Sequence, residues 1–355
     1  MSLFTPYELG PLTLPNRLVM APMTRNRAGA DGVPGVSMAT YYAQRATAGL
    51  IVAEATTPNA VGATYPHIPG IHDEAQVAGW RRVTGAVGHG RMFLQLQHGG
   101  RIGHPETSGL VPLAPSPVPL PVPLVTPGGE KPAVTPREMT AADIRSTVDD
   151  FATAARNAVA AGFAGVEVHA ANGYLLHQFL AGNTNRRGDR YGGPAAHRIR
   201  AVVETVEAVA AAVGPERVGL RVSPGNTVNG IVEGDTDDIY AALVDALAGA
   251  GLAYLHVVFA DPDQPTFQYL RKHWAGTLVA NPALPWPGPL PADGGAAAGE
   301  RLLAAGADLV ALGRAFAANP DLVARLRTGA PLNPVRAEYL QYVRTDTGYT
   351  DYSSL

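Results

Sequence analysis

Short apolar runs rich in Val, Ile and Leu recur along the chain, and stretches with helical spacing of apolar residues separate them. Eight runs read as strands: 18–21, 50–55, 92–97, 165–169, 218–222, 254–258, 277–280 and 309–312. Between and after them the spacing predicts helices near 38–47, 74–87, 141–161, 195–213, 236–250, 299–305 and 320–327. A strand that is apolar nearly throughout belongs in a parallel sheet covered on both faces, since a wetted face would show alternation. Eight such strands interleaved with helices predict an α/β fold, a closed (β/α)8 TIM barrel, rather than an open doubly wound sheet. The expectation is one domain spanning residues 1–355.

Two segments break the alternation. Residues 105–136 are Pro-rich without a long helical period, and residues 282–295 read "PALPWPGPLPADGG". Both are too stiff and apolar for disordered linkers, so they are expected as loop excursions at the C-terminal face of the barrel.

Composition narrows the chemistry. The 355 residues are 46% hydrophobic and 16% charged with a formal net charge of −3, which offers no electrostatic footprint for nucleic acid or anionic membrane. The absence of cysteine removes disulfides, thiolate metal sites, iron–sulfur clusters and a cysteine nucleophile. The opening residues, "MSLFTPYELGPLTLPNR", have no basic start followed by an apolar run, so a cytoplasmic protein is expected, as monomer or homodimer.

In a barrel of this kind catalytic groups sit where strands end. The strand ends carry "APMTR", "EATT", "QLQHGGR", "HAANGY", "LRVSP" and "LGRAFAANPDL". Arg221 lies inside an apolar strand, where an unpaired guanidinium is costly. It is either a structural ion-pair partner or faces an electron-rich ring or anion. Gln95 is in the same position, satisfying buried backbone or reading the polar edge of a heterocycle. Gly313 and Arg314 end the last strand, where barrels of this class commonly hold phosphate. There is no G-x-G-x-x-G after a strand, no P-loop and no H-E-x-x-H. His98, His104, His169 and His177 are not accompanied by a carboxylate cluster, so no metal site is expected.

Several ordered motifs then coincide: "NRLVMAPMTR", "PGIHDEAQ", "HAANGYLLHQFL", "NRRGDRYGG", "LRVSP" and "DLVALGRAFAANPDL". With them the chain resembles the Old Yellow Enzyme family of FMN-dependent ene-reductases over essentially its whole length. The resemblance implies FMN across the barrel mouth and NAD(P)H as electron donor. It assigns cofactor contacts to Pro22, Met23, Thr24, Ala55, Gln95, Arg221, Asn281, Gly313 and Arg314. His169 and Asn172 would donate to the oxygen of an α,β-unsaturated carbonyl or nitro compound, and hydride would pass from flavin N5 to its β-carbon. Tyr174 would protonate the α-carbon, with Tyr65 and Tyr342 lining the substrate pocket.

The chain also departs from that pattern. Gln97 stands where many relatives carry tryptophan, which is expected to enlarge or wet the pocket. Pro282 follows Asn281 where relatives place a residue whose backbone N–H reaches the phosphate, and proline has none to give. Two rival readings are a flavin-binding sensor or store without turnover, and a metal-dependent barrel lyase or hydrolase using the histidines.

Overall fold

The structure, a computed structural model, describes residues 2–88, 90–285 and 288–355. Eight parallel strands close into a barrel: β1 (Leu18–Met20), β2 (Leu50–Thr56), β3 (Met92–Leu96), β4 (Gly165–Ala170), β5 (Val218–Val222), β6 (Tyr254–Ala260), β7 (Leu278–Pro282) and β8 (Leu309–Leu312). Each strand pairs with its neighbours in chain order, and β8 pairs with β1 to complete the ring. The TIM barrel expected from the eight apolar runs is therefore the fold. Every expected strand is found, with ends shifted by no more than two residues.

Helices wrap the outside: α1 (Val36–Gln44), α2 (Glu74–Val87), α3 (Ala141–Ala160), α4 (Arg200–Val213), α5 (Thr236–Leu247), α6 (Pro265–His273), α7 (Ala296–Ala304) and α8 (Leu322–Thr328). Their limits follow local chemistry. The Asp73 side chain accepts from the Gln76 amide to start α2, and Gly88 ends it at φ +77°. A reciprocal Thr140–Asp143 capping box starts α3. The helical stretch expected at 195–213 is instead split between Ala195–Arg198 and α4. The sequence pattern did not reveal α6, whose "PTFQYLRKH" is mostly polar and buries only Phe267 and Leu270.

The excursion at 105–136 contains a short helix, Pro105–Ser108, and an antiparallel hairpin, Leu124–Thr126 with Gly129–Lys131. Trp286 and Pro287 of the second excursion lie outside the described residues. Among the described residues, no helix is long and apolar enough to cross a membrane.

The apparently continuous apolar strands conceal an alternation that matters for function. Val19, Val52, Phe93, Tyr254, Val279, Leu309 and Ala311 form one buried cluster inside the barrel. The N-terminal hairpin, Tyr7–Leu9 with Leu12–Leu14, packs Leu9 and Leu14 onto that cluster and stoppers the barrel. The alternate residues, such as Leu94, Val166, Val168, Leu220 and Leu255, join the larger cluster between strands and helices. Two residues further along three of the strands from the inner apolar layer, the same inward face turns polar. Gln95 follows Phe93, His256 follows Tyr254, and Asn281 follows Val279. The barrel is thus dry at its base and polar toward its C-terminal mouth.

Candidate active site

The polar layer is organised around Glu167, which is fully buried on β4. Gln95 Nε2 donates to its Oε1 at 2.8 Å, while the Tyr254 hydroxyl at 3.1 Å and His256 Nδ1 at 2.8 Å donate to its Oε2. Burial alone would raise this carboxyl, but His256, the Arg221 charge and the Gln95 hydrogen bond outweigh it. They hold Glu167 down at about 2, so it is ionised. Burial and Arg221 push His256 below the usual imidazole range. Gly219 makes room here, since a Cβ at that position would sit 2.2 Å from the Tyr254 ring.

Arg221 pairs in register with His169 on one side and His256 on the other. Its terminal nitrogen donates to Asn281 Oδ1 at 3.0 Å, and Asn281 Nδ2 in turn donates to the Ala311 carbonyl at 3.0 Å. The Arg221 Nε is buried without a hydrogen-bond partner among the described residues.

Above this layer opens a cavity of about 530 Å³. Its lining includes Pro22, Met23, Thr24, Gln95, His169, Asn172, Tyr174, Arg221, Asn281, Gly313, Arg314 and Tyr342. Twelve of the fourteen residues singled out from the sequence thus meet at one site. Ala55 is buried at the end of β2 but is not on the cavity wall, and Tyr65 stands behind it, joined to Tyr174.

The "HAANGY" turn is held from three sides. Asn172 and Gly173 both take left-handed backbone, φ +56° and +80°, a conformation that Asn and Gly tolerate best. The Asn172 amide donates to Ser223 Oγ at 2.8 Å, and its carbonyl accepts from Asn229 Nδ2 at 2.8 Å. The Gly173 amide donates to His177 Nδ1, and His177 Nε2 donates to Glu233, which also accepts from Tyr240 and Thr236. His169 Nδ1 and Asn172 Oδ1 are buried without partners among the described residues. Burial, helped by Arg221, holds His169 well below the usual imidazole range, so it is a neutral donor. Burial likewise pushes Tyr174 up to about 12, keeping its proton at ordinary pH.

The other end of the cavity departs from the family pattern where Pro282 follows Asn281. Pro282 closes β7 against Ala260, and the next amide, Ala283, donates to the Ala260 carbonyl at 3.1 Å. The Gly294 and Gly295 amides are taken by the Pro291 carbonyl and Asp293. A phosphate would therefore depend on the turn from Gly313 into the short helix Arg314–Ala318, whose first amides have no intrahelical partner. The Arg314 guanidinium donates to the carbonyls of Gly288 at 2.7 Å and Pro285 at 2.5 Å, tying it to the proline-rich excursion.

Gln97 lines the cavity, with its amide nitrogen donating to Thr64 at 2.9 Å. Sequence reasoning missed Glu167, His256 and Phe259. Phe259 sits at a bulge in β6 with φ +54° and lines the mouth. A signal for the first two existed in principle: an acid and a histidine, each inside an apolar strand like Arg221.

The family model for the NADH:flavin oxidoreductase / NADH oxidase family matches residues 2–333. A probable flavin mononucleotide-dependent alkene reductase of Leishmania infantum is 39% identical over 360 residues, covering 98% of this chain and 96% of that protein. The Old Yellow Enzyme homologue from Zymomonas mobilis superposes with a TM-score of 0.93 at 38% identity, covering 100% of both chains. Morphinone reductase in complex with tetrahydroNAD gives a TM-score of 0.92 at 40% identity, covering 100% of this chain and 98% of that one. With a parallel barrel, a buried arginine beneath its mouth and a His-Asn-Tyr turn above it, the chain belongs to this family of flavin oxidoreductases, the Old Yellow Enzymes.

Proposed function

We propose that the protein reduces activated alkenes with FMN and NAD(P)H, and that the convergence of His169, Asn172 and Tyr174 on one cavity with Arg221 carries this reading. The residues present suit FMN. The cavity of about 530 Å³ is of a size for such a ligand, and a buried Arg221 Nε without a partner awaits an acceptor. Pro22, Met23, Thr24 and Asn281 would border the ring system, with Ala55 behind the wall. Gln95 has given its amide nitrogen to Glu167, which leaves its carbonyl oxygen for the cofactor's pyrimidine edge. Gly313 and Arg314 would serve the phosphate. The morphinone reductase complex with tetrahydroNAD supports a nicotinamide donor.

Bound FMN, once reduced, supplies hydride to the β-carbon of an α,β-unsaturated carbonyl or nitro compound. The protein's own groups do the rest. His169 and Asn172 donate hydrogen bonds to the substrate oxygen, and their hold strengthens as that oxygen gains negative charge. A neutral His169 is suited to this, because it polarises without surrendering a proton. Tyr174 then gives a proton to the α-carbon. Arg221 would favour negative charge on the reduced ring, and Asn281, which accepts a hydrogen bond from its terminal nitrogen, would keep that arginine oriented.

Arg221→Met removes the buried cation. The flavin midpoint potential should fall and some FMN should be lost on purification. An unchanged potential at full occupancy would assign Arg221 a purely structural part.

His169→Ala combined with Asn172→Ala should retain FMN yet lose the long-wavelength charge-transfer band that phenols give when stacked on oxidised flavin. Titration with a phenol followed by absorbance reads this directly. An undiminished band would rule out these two residues as the oxygen donors.

Tyr174→Phe removes one hydroxyl while keeping the ring's volume, so folding should alter little. Stopped-flow kinetics should show FMN reduction by NAD(P)H close to wild type. Reoxidation by cyclohexenone should slow roughly a hundredfold or more, the usual worth of a placed general acid. A nitroalkene should be affected least, because its nitronate persists before protonation. With Tyr174 at about 12 and His169 held neutral, wild-type reoxidation should be level from about pH 7 to about pH 10. Wild-type speed with cyclohexenone in Tyr174→Phe would move the proton to another donor.

A further inference from the structure

Each turnover takes a proton from Tyr174, and the tyrosinate left beneath a bound substrate must recover it. A second tyrosine stands at that hydroxyl. Tyr65 Oη lies 3.1 Å from Tyr174 Oη, behind the cavity wall. The Tyr65 ring also meets Tyr342 edge to face, with centroids 5.7 Å apart and an interplanar angle of 79°. Tyr342 lines the cavity and is 44% exposed, so the three tyrosines connect the Tyr174 hydroxyl to a residue that meets solvent.

We propose that Tyr65 and Tyr342 form a proton relay that recharges Tyr174 from solvent while substrate still covers the cavity. This rests on Tyr174 being the proton donor. As the Tyr174 O–H bond breaks and the α-carbon C–H bond forms, Tyr65 passes its proton to Tyr174. Tyr342 passes its own to Tyr65, and water restores Tyr342. The net transfer is one proton from solvent to the alkene, and no electrons move through the chain of hydroxyls.

A handover of this kind has a physical reason here. A free tyrosinate is costly in so buried a place, and moving the proton in concert avoids accumulating that charge. Asn229 also faces the Tyr174 hydroxyl, but a side-chain amide is no acid at neutral pH.

The spacing of the relay is itself built. Asn26, at φ +57°, donates from Nδ2 to the Pro66 carbonyl at 2.8 Å and accepts from the Tyr342 amide at 3.1 Å. One side chain thus spans the residue after Tyr65 and Tyr342 itself. Arg25 secures the same segment through the Leu340 carbonyl at 2.9 Å. Tyr342 has φ +58°, an uncommon backbone for an aromatic residue that the surroundings must hold in place.

The test compares Tyr65→Phe and Tyr342→Phe with Tyr174→Phe by measuring reoxidation with cyclohexenone in H₂O–D₂O mixtures. Wild type should give a curved dependence on deuterium fraction, because more than one proton is in flight. Tyr65→Phe should be slowed roughly tenfold, less than loss of the acid itself, with a linear dependence and partial rescue by imidazolium buffer. Tyr342→Phe should change in the same direction, less steeply. In flavin-free protein labelled with ¹³Cζ-tyrosine, Tyr65→Phe should shift the Tyr174 resonance, since the ring is kept and only the hydroxyl contact is lost. Wild-type rate, unchanged curvature and an unmoved resonance in Tyr65→Phe, beside a slow Tyr174→Phe, would overturn the relay. Full speed in Tyr174→Phe would instead remove the donor assignment, and the relay with it.

Discussion

A charged arginine enclosed in a parallel barrel must be balanced, and the carboxylate of Glu167 supplies that balance. Arg221 and Glu167 are both buried on adjacent strands. The two interact through charge across these strands, while the hydrogen bond from the Arg221 terminal nitrogen goes to Asn281. The constraint propagates. Glu167 needs donors for its remaining lone pairs, so Gln95, Tyr254 and His256 turn inward to it. Tyr254 needs space, so Gly219 has no side chain. One buried cation thereby accounts for much of the polar layer beneath the cavity.

That layer is paired with a loop layer, and the two use different means of rigidity. Strand register places Gln95, His169 and Arg221, and hydrogen bonds to Glu167 and Asn281 hold the first and last of them. Asn172 and Tyr174 lie beyond the strand and depend on Ser223, Asn229 and the His177–Glu233 pair to fix an otherwise strained turn. Donors whose orientation is set before substrate arrives need no reorganisation when charge develops on the substrate. At the opposite end of the cavity the loop after β7 offers no amide at Pro282, Ala283, Gly294 or Gly295, and the proposed phosphate contacts are therefore those of the β8 turn. The hydrogen bonds from Arg314 to Pro285 and Gly288 link that turn to the proline-rich excursion.

Strands were legible because burial on both faces leaves apolar runs that end abruptly at Gly, Pro or polar residues. Helix α2 was legible to the residue, since Asp73 and Gly88 mark its ends chemically. Helix α6 was not, because its outer face is polar and few of its residues enter the core. Arg221 and Gln95 stood out as polar residues in apolar strands. Glu167 and His256 have the same property, but their partner lies on a strand distant in sequence, so pairing them requires the barrel register. The hydroxyl contact between Tyr65 and Tyr174, 109 residues apart, was hidden for the same reason. The family motifs identified which residues gather at the mouth. They did not show what Arg314 and Asn281 bond to, because those partners belong to this chain's own loops.

The most direct measurement is an anaerobic titration of the FMN-loaded wild-type protein with product analysis. One equivalent of NADPH or NADH should bleach the flavin absorbance, and one equivalent of cyclohexenone should then restore it. Cyclohexanone should form in proportion to the flavin reoxidised. A flavin that neither donor bleaches, or one that stays bleached with both cyclohexenone and a nitroalkene, would contradict alkene reduction at this site.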